Sequence, residues 1–409
     1  MPAPPLRALI STIQPSSGGV PAKTRWLVQE LAALGITSTL AWYEPWSCSP
    51  ELSVPLPHLL SGRRPAARRE PVWPEVPGEA IGAWLPELEF SHYWATRPWR
   101  RLIAAADLHL VTTGNPLCAY RYLRSGVPFL AWVGTPWHGD RDARVRTFPW
   151  HRRLLDRSLN GPVLRRMERR VLQATQGRIL TISRHTAKEL EELSGRPTAG
   201  VLYLPPDPAL FRPDPSVREP WRIGFAGRYG DPRKQLPLLL DAVQKLRQKG
   251  QPVQLELTGE RNGRQLLADA LQHRDLDAVV TCHPYLEPPQ LAAVMQRWDL
   301  FVIPSHQEGL CISALEAMAC GVPVVSTRCG GPEDFVLPGR TGTLVPHEAP
   351  ALAAAIEAIC SQPSLRQQLS SGALAWMASN ADATEARRRL RQHLAATFPA
   401  LTAMDGRDG

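Results

Sequence analysis

The sequence predicts an α/β protein of more than one domain, in which helices cover both faces of mainly parallel sheets. Three observations lead to this fold class. The 409 residues are enough for two or three domains. Residues 6–34 have the pattern of a strand, a glycine-containing loop and a helix, and residues 299–326 have that of a strand, a loop, a helix and a second strand. Units of this kind bind ligands in the loops at the carboxyl ends of their strands.

The first strand is predicted at residues 6–12 and the first helix at residues 22–34. Gly18 and Gly19 lie in the loop between them. The run from Gly18 to Thr24 imitates a phosphate-binding P-loop, but Ala22 stands where that motif requires a glycine before the lysine, so we reject the P-loop. The glycine pair is then either a tight turn or a loop that approaches a ligand closely.

Residues 44–100 are rich in proline, arginine and tryptophan and show little clean hydrophobic period, so we expect a long insertion or loop region whose structure the sequence does not predict. Further strands of the first domain are predicted at residues 107–112, 127–133 and 178–183, the last of which should be its final strand. His138 follows the second of them, in a loop where a neutral imidazole can both donate and accept hydrogen bonds. A structural or exposed histidine is the alternative interpretation.

Ten arginines lie within residues 141–170, in a chain with a formal net charge of +9. The predicted helix at residues 163–172 places arginines on one face and apolar side chains on another, which suits an anionic membrane surface. A solvated helix face is the alternative. The excess of positive charge favours anionic partners in general, but the chain shows no zinc finger, RNA-binding signature or helix-turn-helix motif, so we expect no nucleic acid partner.

The second domain is predicted to begin at Trp221, after a proline-rich linker. Its first strand, residues 222–226, ends at Gly227 and Arg228, and Lys234 follows six residues later. A guanidinium fork and an ammonium at a strand end can neutralise a diphosphate. Because no group of metal ligands accompanies them, we expect this to occur without a metal ion or other cofactor.

The region of residues 299–346 carries the most informative pattern. Glu308 stands just before a helix, and Glu316 lies eight residues further on, inside it. The amides that precede a helix can receive an anion such as diphosphate; these are the amides of Gly309, Leu310 and Cys311. Carboxylates on either side can accept hydrogen bonds from hydroxyls that flank the diphosphate. A ligand with phosphates between two sets of hydroxyls is a nucleotide diphosphate sugar.

This pattern resembles the signature of retaining glycosyltransferases of family 4. Their signature has two glutamates eight positions apart, an Ala–Met–Ala–x–Gly–x–Pro run and a later Gly–Gly pair. The matching residues are Glu308, Glu316, residues 317–323 (AMACGVP), Gly330 and Gly331. The first-loop glycine pair, Gly18 and Gly19, and the Gly227–Arg228…Lys234 segment are also similar to the family.

The resemblance implies the GT-B fold, with two Rossmann-like domains facing across a cleft. The domains are then residues 1–204 and 221–375, joined by a linker at 205–220, with a C-terminal helix at 376–400 packing back on the first domain. It implies a metal-independent hexosyl transfer, with retention, from a nucleotide diphosphate sugar to a hydroxyl of a glycan or lipid-linked acceptor, in glycan, glycolipid or cell-surface polysaccharide biosynthesis.

The resemblance also implies the roles of the site residues. Arg228 and Lys234 bind the departing diphosphate with the amides of residues 309–311, and Glu308 binds the transferred sugar. Glu316 binds the ribose. His138 and the glycine pair contact the donor sugar.

Two segments depart from the family. Residues 205–208 are Pro–Pro–Asp–Pro instead of Asn–Gly–Val–Asp, and residues 283–286 lack the usual glycine near the nucleobase. The nucleobase and the donor sugar are therefore not predicted.

Cellular location follows from simple features. The seven cysteines form no CxxC pair, no segment of about 18 apolar residues exists, and residues 1–5 do not begin an export signal. We expect a cytoplasmic protein that associates peripherally with the inner face of the plasma membrane through residues 141–170. A non-catalytic nucleotide-sugar-binding scaffold and a sugar-nucleotide epimerase of the same fold are alternatives. A glycosidase is disfavoured because its two carboxylates would flank the scissile bond.

Overall fold

The computed structural model describes residues 5–14, 18–73, 76–146, 148–260, 263–399 and 401. These residues divide into two compact units. The N-terminal unit comprises the chain up to Leu202 together with the residues from Arg387 onward, and the C-terminal unit is Tyr203–Ala386.

Eight strands of the described chain form one sheet in the N-terminal unit. They are β1 (Arg7–Thr12), β2 (Thr37–Tyr43), β3 (Ala67–Trp73), β4 (Val76–Ile81), β5 (Leu108–Thr113), β6 (Phe129–Val133), β7 (Gly177–Thr181) and β8 (Gly200–Val201). Their order across the sheet is β3-β4-β2-β1-β5-β6-β7-β8. Every neighbouring pair is parallel except β3 with β4. The order reverses between β1 and β5, so loops after these strands flank a crevice at the carboxyl edge.

Helices connect these strands. They are α1 (Gly19–Ala32), α2 (Arg97–Ala105), α3 (Tyr120–Ser125), α4 (Trp137–Arg146), α5 (Trp150–Leu155), α6 (Gly161–Leu172) and α7 (Arg184–Ser194). A single π-helical turn, Asp156–Asn160, joins α5 to α6. On α6 the apolar residues Leu164, Met167 and Val171 recur at helical spacing and are buried in the core of the unit.

Six strands of the described chain form the sheet of the C-terminal unit. They are β9 (Arg222–Ala226), β10 (Gln254–Thr258), β11 (Val280–Cys282), β12 (Leu300–Ile303), β13 (Val324–Thr327) and β14 (Gly342–Val345). They pair in parallel in the order β11-β10-β9-β12-β13-β14. This order reverses between β9 and β12, and it is the doubly wound arrangement of dinucleotide-binding domains.

The remaining helices are α8 (Leu236–Gln248), α9 (Gly263–His273), α10 (Pro288–Arg297), α11 (Ile312–Ala319), α12 (Ala349–Cys360), α13 (Pro363–Asn380) and α14 (Ala383–Thr397). Strand β12 shows how both faces of the sheet are covered. Leu300 and Val302 pack into the core with α8 and α12, while the ring of Phe301 stacks on Trp298, with the ring centroids 5.8 Å apart. Alternate residues of a strand point to opposite faces, so a run of apolar residues indicates burial on both.

The structure corrects three sequence-based element assignments. The single C-terminal helix predicted at 376–400 is instead the end of α13 followed by α14, because Asp382 accepts a hydrogen bond from the amide of Glu385 (2.9 Å) and begins a new helix. Strand β7 is not the last strand, since β8 follows it. Gly19 is the first residue of α1 and does not lie in the loop.

Residues 44–100, whose structure the sequence did not predict, contain the β3–β4 hairpin and the start of α2. Strand β3 lies at the edge of the sheet and carries Arg68, Arg69, Glu70 and Pro71. Charged residues and proline are typical of edge strands, where they prevent pairing with other chains. The strand therefore lacks the alternation of apolar and polar residues by which a half-buried strand is recognised.

Candidate active site

Three loops meet at the carboxyl edge of the six-stranded sheet, beside the reversal between β9 and β12. The amide of His306, after β12, donates to the carbonyl of Arg233, after β9 (2.6 Å). The hydroxyl of Ser313 in the first turn of α11 donates to the carbonyl of Ala226, the last residue of β9 (3.3 Å). The amide of Glu308 donates to the carbonyl of Cys329, after β13 (2.8 Å). These contacts bring the predicted phosphate-binding segments together.

Lys234 and Glu308 form the centre of this region. The Lys234 ammonium donates to Glu308 Oε1 (2.7 Å), and the Ser305 hydroxyl donates to the same oxygen (2.5 Å). Both Lys234 and Glu308 are largely buried. Burial by itself would lower the pKa of Lys234, but the adjacent Glu308 carboxylate outweighs this effect and raises that pKa above its ordinary value. The ammonium therefore stays charged throughout the neutral pH range.

The start of α11 presents free donors beside this pair. In the described part of the chain, the amides of Gly309, Leu310 and Cys311 donate no hydrogen bond. Cys311 directly precedes the helix and has a positive φ of 72°. Amides at a helix start carry partial positive charge, so this loop suits an anion.

The Gly330–Gly331 pair allows the loop after β13 to approach α11. A Cβ atom on Gly331 would lie 2.2 Å from the carbonyl oxygen of Gly309, so only glycine fits. The amide of Gly331 donates to the carbonyl of Glu308 (2.9 Å). The glycine pair thus fixes the backbone that carries the glutamate and the free amides.

Arg228 lies on the same loop as Lys234, but the structure does not bring it to Glu308. Its side chain is 64% exposed and donates to Asp231 Oδ2 (3.0 Å). Arg233 donates to the same oxygen (2.8 Å). The Lys234 side chain is thus buried next to Glu308, whereas the Arg228 side chain lies on the solvent-exposed side of the loop.

Glu316 occupies the middle of α11 and is half-buried. Within the described residues its carboxylate accepts no hydrogen bond. Loss of hydration raises the pKa of Glu316 to about 7. Its carboxyl group can therefore change charge near neutral pH.

The other predicted site residues lie in the N-terminal unit. Gly18 precedes α1 with a φ of +106°, a backbone conformation that favours glycine. His138 is half-buried in the first turn of α4, after β6. The loops after β1 and β6 emerge at the same edge of the sheet, two strand positions or about 10 Å apart.

Lys23, which the P-loop-like run contains, has a different function from a P-loop lysine. Its ammonium is buried and donates to the carbonyls of Thr113 (3.1 Å) and Trp132 (2.5 Å) at the ends of β5 and β6. Burial lowers the pKa of Lys23 to about 7. Lys23 thus hydrogen-bonds the carboxyl ends of two neighbouring strands. A P-loop lysine would instead contact phosphate, so this position agrees with our rejection of the P-loop.

The backbone around His138 is held by residues that sequence reasoning missed. Glu168 accepts a hydrogen bond from the amide of Trp137 (2.7 Å), and Glu89 accepts one from the Trp137 indole (3.1 Å). Arg141 forms ion pairs with Glu89 and Asp156, and its guanidinium lies 4.5 Å from the centre of the Trp137 ring. Within the C-terminal unit, Ser305 was missed in the same way. Its only sequence signal is its position directly after a buried strand.

An anion-binding loop at the reversal point of a doubly wound sheet is typical of nucleotide-binding α/β enzymes. Comparison with known families identifies the class more closely. The model of a family described as "Glycosyl transferases group 1" matches residues 220–362.

Curated relatives extend the similarity over most of the chain. A D-inositol 3-phosphate glycosyltransferase of Arthrobacter sp. (strain FB24) is 32% identical over 394 residues, covering 86% of this chain and 85% of the relative. One of Pseudarthrobacter chlorophenolicus is 42% identical over 151 residues, but the match spans only 35% of either protein. The GDP-mannose-dependent alpha-(1-6)-phosphatidylinositol monomannoside mannosyltransferase of Mycolicibacterium smegmatis is 34% identical over 188 residues, 40% of this chain and 47% of the relative.

Solved structures share the fold. Sucrose-phosphate synthase from Thermosynechococcus elongatus superposes with a TM-score of 0.74 at 19% identity, covering 97% of this chain and all of that chain. HepE from Anabaena, solved in complex with UDP and glucose, gives 0.69 at 17% identity, covering 96% of this chain and all of that one. The predicted GT-B fold class is confirmed. The chain belongs to the glycosyl transferases group 1 family, and it is a retaining glycosyltransferase.

Proposed function

We propose that the C-terminal unit binds a nucleotide diphosphate sugar at the loops around Lys234 and Glu308, and that the sugar passes to a hydroxyl of a glycan or lipid-linked acceptor. The observation that carries this proposal is the contact between Lys234 and Glu308 beside the free amides of residues 309–311. Together they supply a buried cation, donors for an anion and a carboxylate for hydroxyl groups within one loop cluster.

Lys234 is the main cation for the departing diphosphate in this proposal. Cleavage of the anomeric bond leaves an additional negative charge on the β-phosphate, and preorganised donors stabilise that charge without reorganising solvent. The free amides of Gly309, Leu310 and Cys311 act in the same way. Arg228 adds a second cation, since its exposed side chain can exchange Asp231 for a phosphate. The residues supply this charge themselves, so we propose a transfer independent of metal.

Glu308 is suited to the hydroxyls of the transferred sugar. Its Oε1 already accepts two hydrogen bonds, while Oε2 accepts none from the described residues. Glu316 is suited to the ribose hydroxyls when its carboxyl group is ionised. His138, Gly18 and Gly19 are included as substrate contacts, because Gly18 and Gly19 follow β1, His138 follows β6, and both of these strands end at the carboxyl edge of the N-terminal sheet.

The acceptor is proposed to be a glycan or a lipid-linked molecule made on the cytoplasmic side of the plasma membrane. The name of one relative supports a lipid-linked acceptor, since it refers to a phosphatidylinositol monomannoside. None of the described helices has the length and apolar character needed to span a bilayer. We propose peripheral association with an anionic membrane surface through the basic segment 141–170.

The test is release of free nucleoside diphosphate from a panel of nucleotide sugars, with lysate lipids and soluble glycosides as acceptors. The chain offers a matched control, because Lys249 and Glu357 form a second lysine–glutamate pair (2.6 Å) on the surface of the same unit. We expect Glu308→Gln to lower kcat/KM by a factor on the order of 100 or more. We expect Glu357→Gln to leave it unchanged.

Equal activity of these two variants would overturn the proposed role of Glu308. Two other outcomes identify the alternative functions. Stabilisation by a nucleoside diphosphate with no turnover of any nucleotide sugar would indicate a binding scaffold. A changed sugar nucleotide without a product on the acceptor would indicate an epimerase.

A further inference from the structure

Helix α5 and the turn after it expose apolar side chains to solvent. The exposed fractions are 71% for Trp150, 59% for Leu154 and 38% for Leu159. Trp150 and Leu154 are four residues apart, so they lie on one face of α5. We refer to Trp150, Leu154 and Leu159 as the apolar strip.

Three exposed arginines lie in the same segment as the apolar strip. The side chains of Arg152, Arg153 and Arg157 are exposed, and none forms an ion pair with another described residue. The one acidic residue of this segment, Asp156, is buried and paired with Arg141. The exposed surface of residues 150–159 is therefore apolar and positively charged, with no exposed carboxylate.

The structure shows that α6, the helix which the sequence analysis assigned to a membrane surface, does not offer an apolar face. Its apolar residues Leu164, Met167 and Val171 are buried in the core of the N-terminal unit. Its exposed residues are Pro162 and the four arginines at positions 165, 166, 169 and 170. A helix that lies in the membrane interface must expose apolar side chains that can be buried among the lipid chains. Of α5 and α6, only α5 exposes such a face.

We infer that the apolar strip of residues 150–159 inserts into an anionic lipid bilayer, with its arginines at the headgroups. A tryptophan with a neighbouring leucine on a single helical face suits the boundary between headgroups and acyl chains. Unpaired arginines complement anionic headgroups. The occupant is a lipid surface and not a partner protein, since a protein interface of ordinary size needs a larger apolar area than three side chains provide.

The strip is connected to the proposed substrate loop. Arg141 Nε donates to Asp156 Oδ2 (3.3 Å), which joins the turn after α5 to α4. Arg141 also lies over Trp137, the residue before His138. The turn that follows α5 is therefore packed against the helix that carries His138. The inference deepens the membrane association proposed for residues 141–170, and the link to a lipid-linked acceptor rests on the proposed sugar transfer as well.

Sedimentation of the full chain with lipid vesicles tests the inference. The vesicles are phosphatidylcholine alone, or phosphatidylcholine with roughly 30 mol% phosphatidylglycerol to supply surface charge. We expect binding to the anionic vesicles only. The Trp150→Ser/Leu154→Ser variant should lower the partition coefficient at least tenfold, and Arg152→Gln/Arg153→Gln should lower it about fivefold for each arginine.

Two controls separate this surface from others. Leu266→Ser replaces a leucine with a similar exposure of 61% in the C-terminal unit and should leave binding unchanged. Arg165→Gln/Arg166→Gln removes charge from α6 without touching the apolar strip, so it should reduce binding less than the α5 variants. A greater loss for the α6 variant than for either α5 variant would overturn the assignment to α5.

Absence of wild-type binding to anionic vesicles at low salt would overturn the inference. The inference would also be overturned if the α5 variants lost self-association or binding to another protein but still bound the vesicles. Diphosphate release with a soluble acceptor should be the same in the α5 variants and the wild type. If wild type and variants all lack diphosphate release while the wild type still binds the vesicles, the proposed sugar transfer is contradicted and the lipid-binding surface remains supported.

Discussion

The ammonium of Lys234 lies 2.7 Å from Glu308 Oε1, although 74 residues separate the two in the chain. One residue follows β9 and the other follows β12, and these strands are neighbours in the sheet. The reversal of strand order at this point opens the space in which both side chains meet. The contact links the fold of the C-terminal unit directly to its proposed chemistry.

This buried pair should contribute more to stability than its surface counterpart. Lys234→Met leaves the Glu308 carboxylate buried without its cation, and we expect a loss of about 3 kcal/mol in the free energy of unfolding. Lys249→Met removes the partner of Glu357 at the surface and should cost less than about 1 kcal/mol. Denaturant unfolding of both variants measures the difference. The Lys234→Met/Glu308→Gln double variant should recover part of the loss, because no unpaired charge remains.

Gly331 should tolerate no side chain. A Cβ atom there would lie 2.2 Å from the Gly309 carbonyl oxygen, and backbone atoms cannot move aside as a flexible side chain can. We expect Gly331→Ala to lower the free energy of unfolding by on the order of 2 kcal/mol and to displace the free amides before α11. Gly230→Ala is the stability control, since no atom lies within 4 Å of its added Cβ. Equal melting temperatures for the two variants would contradict the close approach of the loops.

Binding of the donor should depend on the ionisation of Glu316. The pKa of Glu316 is raised to about 7, so below that pH the protonated group accepts fewer hydrogen bonds from ribose hydroxyls. We expect KM for the nucleotide sugar to rise as the pH falls from about 8 to about 6. In Glu316→Gln this dependence should be weaker. A KM profile that is identical in both proteins would remove Glu316 from the donor site.

The same group makes a prediction about stability. The pKa of Glu316 is 4.5 when the side chain is exposed, as in the unfolded chain, and about 7 in the folded protein, so the folded state retains its proton longer. The contribution of this group is therefore favourable at low pH and is lost as the pH rises through about 7. Thermal unfolding should show Glu316→Gln becoming more stable relative to the wild type between about pH 5 and pH 8. A difference that is independent of pH would contradict the raised pKa.

Lys23 should influence stability in the opposite direction with pH. The pKa of Lys23 falls from 10.5 to about 7 on burial, so above about pH 7 the folded state has released a proton that the unfolded chain still binds. The unfolding free energy of the wild type should then rise relative to Lys23→Met by about 1 kcal/mol per pH unit between about pH 7 and pH 9. Chemical denaturation across this range measures the difference. A difference between the two proteins that does not change with pH would contradict the lowered pKa of Lys23.

Local patterns of apolar residues predicted the fold class, because the spacing of apolar side chains along the chain reflects which faces of a strand or helix are buried. Residues 300–303 are an apolar run followed by Pro304 and form β12, and the strand predicted up to residue 326 overlaps β13 (Val324–Thr327) of the same sheet. The helix between them carries Glu316, and the free amides of residues 309–311 directly precede it. Strand β3 escaped prediction, since a charged edge strand bears no such pattern.

The sequence by itself determined the two α/β halves, the family and the segments that carry Lys234, Glu308 and the free amides, because each of these depends on residues close together in the chain. Only the tertiary structure decided which side chains meet. It pairs Lys234 with Glu308, turns Arg228 toward Asp231, places Lys23 beneath two strand ends and leaves Trp150 in solvent. Such contacts depend on strand order and on the packing of distant segments, which a local pattern does not contain.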